Sequence, residues 1–164
     1  MDSLEDTDAR LRESAEKLAL ALSQSGMQKT TARVMTALLF SQRQTMTAGD
    51  LCDALKISSG AVSGAVNQLI PTGMIERVPA PGSRRDHYRF REHAWATLMG
   101  NQNALLAGMC AAAAEGIEIA GPESIAGHRL DEMQDFYGFM QHEMAALIET
   151  WRQRREARPG TTSA

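Results

Sequence analysis

The feature that most constrains this chain is a succession of short, differently patterned segments between residues 47 and 91. Thr47-Ala-Gly-Asp50 reads as a helix start: a hydroxyl to accept from orphan backbone N–H groups, with an acid three positions on. Aspartate in place of glutamate makes this a weaker capping box than the consensus. A helix over 48–55 follows, then the tight connection Lys56-Ile57-Ser58, then a second helix from Ser59 to about Ile70. Leu51, Leu55, Val62, Val66 and Leu69 recur on inward-facing positions, with Ile57 at the corner. Pro71-Thr72-Gly73 is expected to end the second helix, because proline cannot continue the ladder and glycine serves the turn. Two strand-like runs come next, Met74 to Val78 and His87 to Phe90. Between them lies Pro79-Ala-Pro-Gly-Ser-Arg-Arg-Asp86, a turn by its prolines and glycine, with Arg84 and Arg85 near its tip.

A helix–turn–helix followed by a cationic hairpin is a winged-helix arrangement. The flanks are helical. Leu11, Ala15, Leu18 and Leu22, with Leu4 seven residues upstream, form one stripe; they mark a helix over 6–25, which Gly26 ends, and a second helix spans about Thr31 to Gln42. Residues 94–115 are rich in Ala, Leu and Met, a break is expected from Gly116 to Gly121, and Pro122 suits the first position of a new helix. In that helix Leu130, Met133, Tyr137, Met140, Met144, Leu147 and Trp151 alternate at spacings of three and four, an a/d seam over three heptads. Phe136, Phe139 and Ile148 widen it. The expected fold is mainly α: a winged helix-turn-helix with a small β-hairpin wing, flanked by N- and C-terminal dimerisation helices. The expected layout is 1–28 as N-terminal dimerisation helix, 29–93 as winged helix-turn-helix, 94–157 as helical dimerisation region and 158–164 as disordered tail.

Charge refines this picture. The chain of 164 residues carries a formal charge of −3 and a pI near 5.8, which read alone argues against a polyanionic partner. The distribution says otherwise. Residues 1–28 hold 3 basic and 6 acidic side chains, and 94–164 hold 5 and 9. Residues 29–93 hold 9 basic and 5 acidic, a net +4 between two anionic flanks. Such asymmetry points to an anionic partner for the middle of the chain.

Residues 47–98 resemble the winged-helix domain of MarR-type transcription regulators, with PGSRRDHYRF similar to the wing and AVSGAVNQL to the recognition helix of the GbsR-like branch. The flanking helices match the family layout, so the likeness covers about residues 8–155. The resemblance implies a homodimer interlaced through its terminal helices, binding a pseudo-palindromic double-stranded DNA operator, most often as a repressor. It also implies that a small-molecule effector releases the DNA, as in many relatives. Two positions depart from the pattern: many relatives carry a longer basic residue near Gly64, and many continue with polar residues where this chain has Pro71.

The residues themselves support duplex binding. With the buried positions removed, the second helix presents Ser59, Gly60, Ser63, Gly64, Asn67 and Gln68. Serine hydroxyls can bond bases or phosphates, and Asn or Gln can read an adenine edge bidentately in the major groove. Arg84 and Arg85 can reach a phosphate rail or a narrow minor groove. Thr47, Lys56 and Arg77 are phosphate neighbours that position without specifying sequence. Asp86 is read as orienting Arg84 or Arg85, not as a contact. The DNA-binding candidates are therefore Thr47, Lys56, Ser58, Ser59, Ser63, Asn67, Gln68, Arg77, Arg84 and Arg85. The dimerisation candidates are Leu11, Leu18, Leu22, Met133, Tyr137, Met140, Met144, Leu147 and Trp151. Each has a plainer alternative: solvated turn, exposed polar surface or intramolecular core.

Other chemistries find little footing. His142-Glu143 lacks the second histidine of a zinc protease helix, so no metal or cofactor is expected. Cys52 and Cys110 stand alone and read as small buried apolar residues. No nucleotide-binding or hydrolase motif occurs, so no enzyme is expected. Aromatics are 5% of the chain and half of them sit in the seam, which disfavours single-strand stacking. The acidic start and the lack of an apolar run near the roughly 20 residues of a membrane span imply a cytoplasmic protein with no membrane partner. The rival reading is a winged-helix protein-protein interaction module without DNA binding.

Overall fold

The computed structural model describes residues 2–158. The expected tail from residue 159 onward lies outside the described residues. The order is α1 (Asp2–Gln24), α2 (Lys29–Leu39), β1 (Met46–Thr47), α3 (Ala48–Leu55), α4 (Ser59–Thr72), β2 (Ile75–Val78), β3 (His87–Phe90), α5 (Ala94–Ala120) and α6 (Ile125–Glu156). The chain divides into two compact units, one up to Trp95 and one from Ala96 onward.

In the first unit α2 is the hub, packed by α1, α3, α4 and β3. Its periodic face buries Val34 and Met35 completely, and Leu51, Val62, Val66, Leu69 and Ile75 close the same core. Full burial of such side chains is worth about 1.5–3 kcal/mol each, enough to hold a small unit of short helices together. The Arg33 guanidinium reaches Glu16 of α1 at 2.8–3.0 Å, adding an ionic clasp across the α1–α2 contact.

The wing is a three-stranded antiparallel sheet in the order β1-β3-β2. The sequence pattern predicts only two of these strands. The third is Met46–Thr47, which runs straight into α3 and pairs with Tyr88 and His87 of β3. β2 pairs with β3 from Ile75↔Phe90 to Val78↔His87, burying Ile75 and Tyr88 on the core side.

Beyond shifts of a few residues at the ends of α1 and α2, three helix boundaries differ from the sequence expectation. α4 runs to Thr72 with Pro71 inside it, and the left-handed Gly73 (φ 75°) terminates it. Proline lacks only one N–H, a loss confined here to the last turn, where the Thr72 hydroxyl donates separately to the Leu69 carbonyl at 2.7 Å. α5 does not break at Gly116. There the missing side chain makes room for Leu130 of α6, whose Cδ1 would stand 2.7 Å from an added Cβ. α6 starts at Ile125, not Pro122: Ser124 is its cap, accepting from the Gly127 N–H at 2.9 Å and donating to the Gly121 carbonyl at 2.8 Å.

α5 also corrects the expectation about apolar runs. Among the described residues it is the one helix long and apolar enough to cross a membrane. Residues 94–114 carry no charge, and Asn101, Gln102 and Asn103 only interrupt the apolar sequence. Both cysteines are half-buried free thiols, less enclosed than expected.

Candidate nucleic-acid interface

The first unit builds its candidate interface from three capped or constrained elements. Thr47 and Asp50 form a complete capping box despite the shorter acid. The Asp50 N–H donates to Thr47 Oγ1 at 3.2 Å, while Asp50 Oδ2 accepts from the Thr47 N–H at 2.8 Å and from its hydroxyl at 2.7 Å. These bonds, the Thr47 hydroxyl first, hold the Asp50 carboxyl below the ordinary aspartate range, and Arg43 at 3.1 Å acts in the same direction. The Thr47 hydroxyl proton is therefore committed to α3.

Lys56 ends α3 in the left-handed conformation, φ 54° and ψ 46°, a region that disfavours a residue with a Cβ. It turns the chain tightly enough for Ser58 to cap α4, accepting from the Ala61 N–H at 3.2 Å. The Ser58 hydroxyl proton remains available, and the Lys56 side chain is exposed.

Along α4 the six residues expected to face outward, Ser59, Gly60, Ser63, Gly64, Asn67 and Gln68, are all exposed. Nothing lies within 4 Å of a Cβ added at Gly64, so internal packing does not demand glycine there. A mid-helix glycine costs about 1 kcal/mol relative to alanine, and what it provides is a flat outer face. Gln68 is not free like its neighbours: its Oε1 accepts from the buried Thr31 hydroxyl of α2 at 2.6 Å, beside Gln28. This tie is invisible to periodicity, because it joins residues 37 positions apart.

In the wing, residues 81–86 are exposed. Asp86 pairs with Arg77 of β2 at 3.5 Å, and the Arg77 guanidinium lies 5.9 Å from the Tyr88 ring centroid. Asp86 thus supports an arginine of the hairpin stem and not one of the tip pair. The cations of residues 29–93 fall into two groups by partner. Arg33, Arg43, Arg77, Arg89 and Arg91 each face a carboxylate. Among the described residues Lys29, Lys56, Arg84 and Arg85 have no ion-pair partner. Lys29, at the start of α2, is not a candidate by sequence; only the pairing pattern singles it out.

The second unit carries the apolar seam. Leu130, Met133, Tyr137, Met140 and Met144 are half-buried, while Phe136, Phe139, Leu147 and Trp151 are 55%, 60%, 64% and 37% exposed. Leu11, Leu18 and Leu22 of α1 are half-buried in the first unit.

Comparison with known proteins agrees with this architecture. Residues 25–86 match the MarR family model, and residues 93–154 match the model of MmpR5-like MarR family transcriptional regulators. These matches do not bear on a GbsR-like branch. The HTH-type transcriptional regulator MmpR5 of Mycobacterium tuberculosis (strain ATCC 25618 / H37Rv) is 26% identical over 147 residues, covering 88% of each chain. A crystal structure of a transcriptional regulator superposes with a TM-score of 0.78 at 25% identity, covering 88% of this chain and 99% of the other. The chain belongs to the MarR family of winged-helix transcriptional regulators, which are DNA-binding proteins and not enzymes.

Proposed function

We propose that the chain acts in the cytoplasm as a homodimeric repressor that occupies a pseudo-palindromic operator. Each protomer lays α4 in a major groove, with Ser59, Ser63 and Asn67 towards base edges and Ser58 and Lys56 on phosphates. Arg84 and Arg85 take the adjacent backbone or minor groove, and Arg77 stiffens the hairpin stem beneath them. Thr47 and Gln68 serve the scaffold. The two half-sites then lie about one helical turn, roughly 34 Å, apart. Occupancy of such a site by a dimer excludes polymerase.

The observation that carries the reading is the set of cations without acidic partners among the described residues of 29–93: Lys56 at the helix-turn-helix corner, Arg84 and Arg85 in the wing, and Lys29 at the start of α2. Support for the dimer comes from α6, on which Phe136, Phe139, Leu147 and Trp151 remain exposed in a single chain. An a/d stripe of this length is suited to a partner helix.

A half-open cleft of about 590 Å³ among α1, α2 and α3 has room for a small effector. Leu11, Phe40 and Met46 give it apolar wall, and Arg43 and Asp50 line it together. A ligand that drew Arg43 away from Asp50 would loosen the cap of α3 and, through the Lys56 corner, the setting of α4.

Fluorescence anisotropy with a random duplex at several salt concentrations tests the central claim. If about 8 phosphates are neutralised per dimer, log affinity falls against log salt with a slope near −7. A protein that ignores duplex at low salt is instead a protein-interaction module. For the effector, a ligand that raises the melting temperature and releases DNA is the expected outcome of a thermal-shift screen.

A further inference from the structure

The wing tip is not held by its turn alone. Ser83 sits just after Gly82 (φ 80°), its N–H bonded to the Ala80 carbonyl at 3.0 Å. Its side-chain oxygen accepts from the Arg85 N–H at 3.1 Å. The same oxygen lies 3.2 Å from His87 Nε2, and the other ring nitrogen, His87 Nδ1, lies 3.0 Å from the Thr45 hydroxyl. One imidazole therefore joins the segment entering β1 to the loop that carries Arg84 and Arg85. Residues 45 and 83 are 38 positions apart in sequence, and register explains why they share a histidine. His87 opens the central strand and pairs with Thr47 on one side and Val78 on the other.

The chemistry of the three groups makes this a tolerant link. A neutral imidazole has one N–H and one acceptor nitrogen. Each flanking hydroxyl can donate or accept, so either tautomer satisfies both neighbours. The link ends on the backbone of Arg85, one of the four cations with no acidic partner. Among the described residues no carboxylate holds that guanidinium, so what the scaffold fixes is the backbone from which it reaches out.

We propose that His87 is a positioning residue of the wing. Held between Thr45 and Ser83, it fixes the loop that presents Arg84 and Arg85, and so sets the grip of the wing on a duplex. The second half rests on the DNA-binding reading above; the first half does not. A rigid loop loses less conformational freedom when its arginines engage phosphate, which is where the affinity arises.

Two measurements test this. In the free protein, amide exchange followed by NMR should show the Arg85 N–H exchanging faster by about tenfold in His87→Ala and Ser83→Ala, with core amides and melting temperature unchanged. Unaltered exchange at Arg85 overturns the positioning role. In DNA binding, His87→Ala should weaken random-duplex affinity about fivefold in the native background and hardly at all when Arg84→Ala and Arg85→Ala are already present, the signature of residues acting as one unit. An equal loss in both backgrounds would make His87 an independent DNA contact and overturn the proposal. His87→Gln places an amide near Ser83, and His87→Asn places one near Thr45. Recovery of slow Arg85 exchange by the glutamine variant and not by the asparagine variant is the expected pattern. If the wild type binds no duplex, the functional reading fails while the exchange measurement still decides the role of His87.

Discussion

The two units of this chain solve the problem of burial differently. The first hides Met35, Leu51, Leu69 and Ile75 almost completely within itself, and along α4 and the wing it shows solvent small polar residues and unpaired cations. In the second, α5 and α6 are long helices whose largest side chains stay open: Ile119 and Ile125 are 79% and 74% exposed, with Phe136, Phe139 and Leu147 also exposed. A unit that closes its own core can devote its surface to a polar ligand. Helices that leave an apolar stripe uncovered are suited to another chain, because exposed apolar patches of this kind mark interaction sites.

The sharpest way to break that contrast is to charge the seam. Phe139→Glu with Leu147→Glu, both exposed in a single chain, should leave the first unit folded and convert the dimer to monomer in sedimentation. Duplex affinity should then fall by about 10²–10⁴, because the second half-site is no longer held at high effective concentration. A double variant that still sediments as a dimer would place the interface elsewhere. The next largest effect belongs to the other unit. Arg84→Ala with Arg85→Ala should cost about tenfold to a hundredfold in affinity for specific and random duplexes alike, and flatten the salt slope from about −7 to about −4. Full affinity in that variant would remove the wing from the interface.

The contrast is partly legible in sequence because its main devices are local. The cap Thr47–Asp50, the Lys56 corner, the Ser58 start of α4 and the cationic hairpin all follow from a few neighbouring residues. What sequence does not show depends on partners distant along the chain. β1 is two residues long, too short to show alternation, and exists only because β3 lies beside it. Gly116 looks like a helix breaker until Leu130 is seen to need its space. Asp86 reaches Arg77 rather than its sequence neighbours, and Gln68 looks like a reading residue until Thr31 is seen to hold it.

Gln68 and its neighbour Asn67 on α4 give a finer test. Asn67 is exposed with no bond to the scaffold. Asn67→Ala should therefore reduce discrimination between operator and random duplex by about 1–3 kcal/mol, the worth of one bidentate pairing with a base, at unchanged stability. Gln68→Ala should do the reverse. It leaves the buried Thr31 hydroxyl without its short partner, costing about 1 kcal/mol in stability, and weakens both duplexes equally. Loss of specificity in Gln68→Ala at unchanged melting temperature would make it a reading residue after all.

The smallest effect lies in the cap that joins the wing sheet to α3. Bonds from Thr47, reinforced by Arg43, hold the Asp50 carboxyl below its ordinary value of 3.8. A carboxylate whose folded-state value is lowered binds its proton less readily in the folded than in the unfolded chain. Its contribution to stability is therefore present above the ordinary aspartate value and is lost as the pH falls through the folded one. Asp50→Asn keeps an acceptor for the Thr47 N–H but removes the charge that favours the positive end of α3. The variant should thus be less stable than the wild type at pH 7 by a few tenths of a kcal/mol up to about 1 kcal/mol, and the difference should close below pH ~3.8. Urea denaturation at paired pH values reads it directly, and a difference that persists in acid would mean that the bonds to Thr47 act through shape and not through charge.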